Sequence, residues 1–310
     1  MVKSAIGRAD FYMKPLLPDR YPNQDFFIAD ILDASPKDDL ASMEHPMFSL
    51  ATQSDMDVRF YRSNSGDTIE VQPSRIGLPT IWDKDLLIYC ISQLMAGINM
   101  GREPSQIIRI TAHDLLVSTN RPTGGDHYKR LESALTRLRS SQIVTNIMTN
   151  GKRIKRGFSF IDYWEIVEKS EVDNRMVAIE VKLSDWLYGA VLGTELLTIN
   201  RQYFRLRGGL ERRLYEIARK HCGSQSRWSI GIKKLHPKSG AKSPLKAFRN
   251  QLKKIVSANV LPDYRMSLDS EKDQIVFYNR KGSKAAKVQF DDEVRKLFQP
   301  SNTKQSVLDL

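Results

Sequence analysis

The sequence predicts an α+β protein, two tandem winged-helix domains behind a flexible, acidic N-terminal region. Three observations carry that expectation. Between Arg109 and Val167 the chain reads helix, turn, helix, then a hairpin with a basic tip, the order of a winged helix-turn-helix. From Gly208 to about residue 280 the same order returns, as an architectural rather than a sequence repeat. The charge is also uneven. The 310-residue chain carries +12, yet residues 1–60 hold 6 Lys/Arg against 10 Asp/Glu, so the remainder carries +16. The expected organisation is a mobile arm over 1–25, a first winged domain with a leading segment over 26–167, a second over 168–280, and a polar tail over 281–310.

The arm is rich in Pro, Asp and Asn. Phe26–Leu32 is a short apolar run, and Ala34–Leu40 reads as a turn. Phe48–Ala51, Asp57–Arg62 and Asp67–Pro73 read as short strands, the last two paired around Ser63-Asn64-Ser65-Gly66. Asp83–Met100 is the first strong helix, with Asp83 as its cap and Trp82 stapled on Leu87. Its inner face is Leu87, Ile91, Leu94 and Ile98, and Gly101–Pro104 ends it. After a strand at Ile107–Ile110, Thr111 caps a helix over 112–117. Ser118–Gly125 breaks the pattern. Asp126 then caps a helix over 127–140 whose Leu131, Ala134, Leu135 and Leu138 share one face. Ile143–Thr149 and Phe158–Val167 make the hairpin, across an Asn150-Gly151 turn signal.

Glu168–Asn174 reads as a charged linker and Arg175–Leu183 as an alternating strand. Ser184 caps a helix over 185–192, followed by a strand at Leu196–Ile199 and a basic helical turn at Arg201–Arg207. The second winged pattern starts with a helix that turns Leu210, Leu214, Ile217 and Ala218 inward and ends near Cys222-Gly223. A strand at Arg227–Ile230 and a short helix at Ile232–His236 follow, the helix stopped by Pro237–Gly240. Ser243 caps the next helix, with Pro244 at its first position and Leu245, Phe248, Leu252, Ile255 and Val256 inward. Tyr264–Leu268 and Gln274–Asn279 close the pattern as a hairpin.

Helices 127–140 and 244–257 are the expected DNA readers. A helix entering the major groove needs small or hydrogen-bonding side chains outward, with cations for the flanking phosphates. Lys129, Ser133, Thr136 and Arg137 answer that on the first helix, and Ser243, Lys246, Asn250, Lys253 and Lys254 on the second. Lys152, Arg153, Lys155 and Arg156 place four cations at the wing tip. Sixteen Lys/Arg between Arg201 and Lys254 face only Glu211 and Glu216, which favours a polyanion partner, double-stranded DNA, over a membrane.

Other chemistries lack their residues. Gly208-Gly209 is not followed by the Lys-Ser/Thr pair of a Walker loop. The five histidines form no close pair, and no Cys/His set has zinc spacing, so no metal or cofactor is expected. Asp55 and Asp57 are the one carboxylate pair from which a primase or nicking enzyme could be argued, and the favoured reading of them is a solvated acidic loop before a strand. Met1–Pro22 lacks the apolar segment of a signal peptide, and Leu86–Ile98 is too short and too interrupted to span a bilayer. Cys90 and Cys222 read as buried thiols of a reducing cytoplasm.

Four blocks carry a family resemblance. Ala34–Pro46, Asp83–Leu94, Leu183–Leu187 and Leu210–Gly223, in that order and within about 26–258, resemble the replication initiator protein A family of bacterial plasmids. The resemblance implies a non-enzymatic protein that binds repeats at a plasmid origin, helps melt the duplex and recruits a host initiator ATPase and replicative helicase. Self-association as a dimer is also implied. No catalytic residue is carried over. A winged-helix transcriptional regulator is the alternative of the same physical class, although one reading domain would suffice for it.

Overall fold

The computed structural model describes residues 16–22, 35–63, 65–149, 152–169, 171 and 176–281. The apolar run Phe26–Leu32, most of the expected arm, the Asn150-Gly151 turn and nearly all of the tail lie outside the described residues. The architecture is α+β. Strand β1 (Lys37–Asp39) leads into α1 (Leu40–Glu44), followed by β2 (Arg59–Arg62) and β3 (Thr68–Gln72). The first winged order is α2 (Lys84–Asn99), β4 (Ile107–Thr111), α3 (Ala112–Ser118), α4 (Gly125–Ser140), β5 (Gln142–Thr145), a small tip of β6 (Met148–Thr149) and β7 (Lys152–Arg153), and β8 (Arg156–Phe158). Then come β9 (Ile161–Lys169), β10 (Met176–Leu183), α5 (Asp185–Leu192), β11 (Leu196–Thr198) and a 3-10 turn at Arg201–Arg205. The second winged order is α6 (Gly209–His221), β12 (Arg227–Gly231), α7 (Ile232–Ser239), α8 (Leu245–Ala258), β13 (Tyr264–Asp269) and β14 (Gln274–Asn279).

The second unit has the compact plan. Its strands run β12-β14-β13, with Leu268 opposite Ile275 and Trp228 opposite Phe277. The first unit departs from the expected hairpin. The wing strand β5 pairs with β8, Ile143 opposite Phe158, and on its other side with β3, so the wing belongs to a four-stranded sheet β2-β3-β5-β8. Strand β9 leaves the wing and pairs with β10, which also pairs with β4. The strand expected to open the second domain therefore sits in the middle of a first-unit sheet. Glu168 and Lys169, expected in a linker, are the end of β9. The alternation of Val177, Ile179, Val181 and Leu183 is right for a strand, but it does not say which partner the strand takes.

Several expected caps also differ. Asp83 turns its carboxylate back to the Thr80 amide at 2.8 Å, while the Asp83 amide donates to the Thr80 hydroxyl. Thr80 and Asp83 thus form a reciprocal box one turn early. Helix α4 starts after Gly124, ahead of Asp126, and Thr111 precedes α3 without a side-chain cap bond. Pro244, not Ser243, is the residue before α8. Helix α7 runs through Pro237, and the left-handed Gly240 at φ +74° ends it. Phe48–Ala51 is no strand and contributes a single parallel bridge, Ser49 to Thr80.

One apolar core runs through both units, from Met43 and Leu87 to Leu252 and Phe277. The leading block closes onto it from both sides. β1 pairs with β11, Asp38 opposite Leu197, and Asp39 caps α1 by accepting the Ser42 amide at 2.7 Å. The described part of the expected arm is held as well. Leu17 exchanges hydrogen bonds with Arg205, and Tyr21 reaches the Arg121 carbonyl at 2.8 Å. No helix among the described residues is long and apolar enough to cross a membrane.

Candidate nucleic-acid interface

Helix α4 buries Tyr128, Leu131, Ala134, Leu135 and Leu138 on one stripe, which fixes what it presents outward. Lys129, Arg130, Glu132 and Arg139 are exposed there. Ser133 and Thr136 are half-buried, and their hydroxyls donate to the carbonyls one turn back, Lys129 at 3.1 Å and Glu132 at 3.0 Å. Their oxygens keep lone pairs that can accept from a base amino group or a bridging water. Arg137 does not join them. Its guanidinium forks onto Asp83, Nε at 2.7 Å and Nη2 at 2.8 Å, and is largely buried. Burial alone would depress its pKa, but the Asp83 carboxylate outweighs that and raises it. Arg137, expected at the DNA face, is thus tied to Asp83 in the chain without DNA.

At the entry to α4, His127 is pulled below its ordinary pKa by partial burial and by the nearby Arg130, Arg121 and Arg20. Arg130, Arg121 and Arg20 thus gather near the start of α4, opposed by Asp126. On the wing, Lys155 is exposed and Arg156 half-buried, while Lys152 and Arg153 form the tip strand β7.

On the second unit, Lys246, Asn250 and Lys253 stand exposed along one stripe of α8, over the buried Phe248, Leu252 and Ile255. Arg249 forks onto Asp273 in the wing turn, at 3.1 and 2.6 Å, and so ties the reader to its wing. That wing tip carries Asp269, Glu271, Lys272 and Asp273 and is not basic like the first. Ser243 does not face outward with the stripe. Its carbonyl is bonded to His236 Nε2 at 2.7 Å, and with Lys254 it lines a cavity of about 760 Å³ between α8, the start of α6 and the segment before β2. Arg130, Arg139, Lys233 and Lys234, which the sequence reading did not single out, are also exposed. The apolar spacing of α4, and of Ile232 and Leu235 on α7, leaves these positions outward and could have marked them.

Asp55 and Asp57 are occupied by cations. Asp55 accepts from Arg59 at 3.2 Å and from Lys242, and Asp57 from Lys242 at 2.8 Å. Despite burial, these partners and the Ser49 hydroxyl hold the Asp55 carboxyl down at about 2.

Two successive units of helix, strand, helix, helix and paired strands, each with an outer helix that exposes cations, give the class: an α+β protein in which a winged-helix order occurs twice, a plan suited to DNA binding. The chain belongs to the replication initiator protein A family, whose sequence profile matches residues 37–266. It is 40% identical over 260 residues to a "Putative replication protein" of Wigglesworthia glossinidia brevipalpis, covering 83% of this chain and 94% of that one. Among solved structures it is similar to domains 2 and 3 of RctB. One crystal structure aligns with a TM-score of 0.56 at 12% identity over 79% of this chain and 98% of that one. A second aligns with a TM-score of 0.53 at 11% identity over 81% and 99%. At such identities the likeness is one of fold.

Proposed function

We propose that this initiator binds repeated double-stranded sites at a plasmid origin through both α4 and α8, promotes local opening of the duplex, and brings in a host initiator ATPase and replicative helicase. The observation that carries the reading is the exposed Lys246-Asn250-Lys253 stripe on α8, paired with the Lys129-Arg130-Ser133-Thr136 surface of α4, in a chain of this family. Asn pairs bidentately with adenine, lysine meets guanine or phosphate, and the wings add phosphate contacts. The chain acts by binding: Asp55 and Asp57, from which a nicking or priming reaction would start, are neutralised by Arg59 and Lys242. Family membership favours origin binding over transcriptional regulation, and dimers would serve control of the protein's own level.

The test is a footprint on the DNA that flanks the protein's own gene. Protection should recur over several similar repeats, and affinity should fall steeply with salt. Protection of a single promoter site would favour the regulator. Nicked product from supercoiled origin DNA with a divalent metal would restore an enzyme.

A further inference from the structure

Three consecutive residues at the start of α2 hold three separate parts of the molecule. Asp83 holds Arg137 of reader helix α4, at 2.7 and 2.8 Å. Lys84 Nζ lies 2.8 Å from Asp38 of β1 and 3.1 Å from Glu216 of α6. Asp85 takes Arg212 of α6 at 2.6 Å and Arg121, before α4, at 2.8 Å. Lys84, Asp85, Arg212, Glu216 and Asp38 are all at most 3% exposed.

The arrangement is crossed in sign. Lys84 and Asp85 are adjacent on α2, and their partners Glu216 and Arg212 are one turn apart on α6. Sliding α6 by one turn against α2 would bring Lys84 to Arg212 and leave Asp85 with Arg121 alone. Like charges at such a distance inside a protein repel strongly, whereas an apolar contact would tolerate the slide. Around this cross, Arg213 donates to the Ser42, Met43, Glu44 and Lys238 carbonyls and to Glu216 at 2.9 Å. Tyr203 donates at 2.7 Å to Glu216 Oε1, the oxygen that also faces Lys84, while Arg213 holds Oε2. Beside it the backbones touch: a Cβ on Gly209, at the first turn of α6, would run into the Leu50 carbonyl.

We propose that Asp83, Lys84, Asp85, Arg137, Arg212 and Glu216 are positioning residues. They lock α4, through α2, to α6 and the α7–α8 pair packed on it. They thereby fix the separation and angle of the two reader helices and hence the spacing of the half-sites the protein accepts. The last step rests on the proposed reading that both units contact one stretch of DNA. The locking itself does not.

The experiment uses the full chain without DNA, spin-labelled through Glu103→Cys and Glu271→Cys, both exposed and one on each unit. The native Cys90 and Cys222 are fully buried. Distances come from pulsed dipolar spectroscopy, and the helical signal and melting transition report folding. The parent should give one narrow distance. Glu216→Gln, which removes one arm of the cross, should at least double the width, and Gly209→Ala should shift the mean by wedging Leu50 away. A parent distribution as broad as two independent units, or two folded variants with the parental distance, would overturn the locking. If Glu216→Gln does not fold, Asp85→Asn, which keeps the side-chain shape and weakens the Arg212 arm of the cross, decides in its place, and a folded Asp85→Asn with the parental distance would overturn the locking. On footprinted DNA, Glu216→Gln should accept altered half-site spacings that the parent rejects. A parent indifferent to spacing would remove the composite site, and with it the DNA part of the proposal, whatever the distances are.

Discussion

Arg137 stands on the outward side of α4 by helical spacing, yet its guanidinium is committed to Asp83, a residue 54 positions earlier. No periodicity within α4 reveals that. Replacing Arg137 by Ala leaves Asp83 nearly buried with only the Thr80 amide, so urea denaturation should show a loss of about 2 kcal/mol. Parental stability with weakened DNA binding would return Arg137 to the reading surface. His45 gives a second test at this scale. It is buried, and burial lowers its pKa to about 4, against the opposing pull of Glu44. The unfolded chain protonates it near 6.5, so its stabilising contribution is complete above that value and is lost as pH falls toward 4. Between pH 7 and pH 5 the parent should lose about 2 kcal/mol that a His45→Gln variant retains, measured as the difference in unfolding free energy at the two pH values. Equal losses in both proteins would assign the pH dependence elsewhere.

At the scale of elements, helices were legible and strand partners were not. α2, α4, α6 and α8 lie within a few residues of their expected bounds, because each has an apolar stripe bounded by breaker residues. The β13–β14 hairpin is also local, and its register follows from its turn. The first wing is different. Ile143–Thr149 and Phe158–Val167 alternate well enough to pair with each other, but β3 and β10 compete for those edges from positions distant in sequence. Of the candidate residues on and before α8, Lys246, Asn250, Lys253 and Lys254 are exposed as the spacing placed them, Lys254 at the rim of the cavity, whereas the Ser243 hydroxyl is buried. Asn250→Ala should cost roughly 1–3 kcal/mol on the cognate repeat and little on random DNA, by titration under one salt condition. Equal losses would mean that Asn250 only orients the helix. The wing tip should behave oppositely. Converting Lys152, Arg153, Lys155 and Arg156 together to Ala should weaken all sequences alike and reduce the salt slope by up to about four. An unchanged slope in a folded variant would take the wing off the DNA.

For the whole molecule, the family blocks were visible as sequence while their reason was not. Ala34–Pro46, Asp83–Leu94 and Leu210–Gly223 look unrelated along the chain, yet Asp38, Lys84 and Glu216 from those three segments meet in one buried charge cluster. The two units thus meet in a packed, buried joint between α2 and α6. That changes how the molecule should read DNA. Two modules on a flexible tether gain affinity through effective concentration and can stretch to a more distant half-site. Two readers on a rigid frame cannot. Inserting roughly five base pairs between the halves of a footprinted repeat turns one half to the far face of the duplex. Inserting about ten restores the face but moves that half some 34 Å further along the axis. A tethered pair would recover much of its affinity at ten, whereas the locked protein should stay at the level of its better single unit for both insertions. Competition binding of the three DNAs at constant salt distinguishes these outcomes, and recovery at ten base pairs would show that the joint opens when DNA is bound.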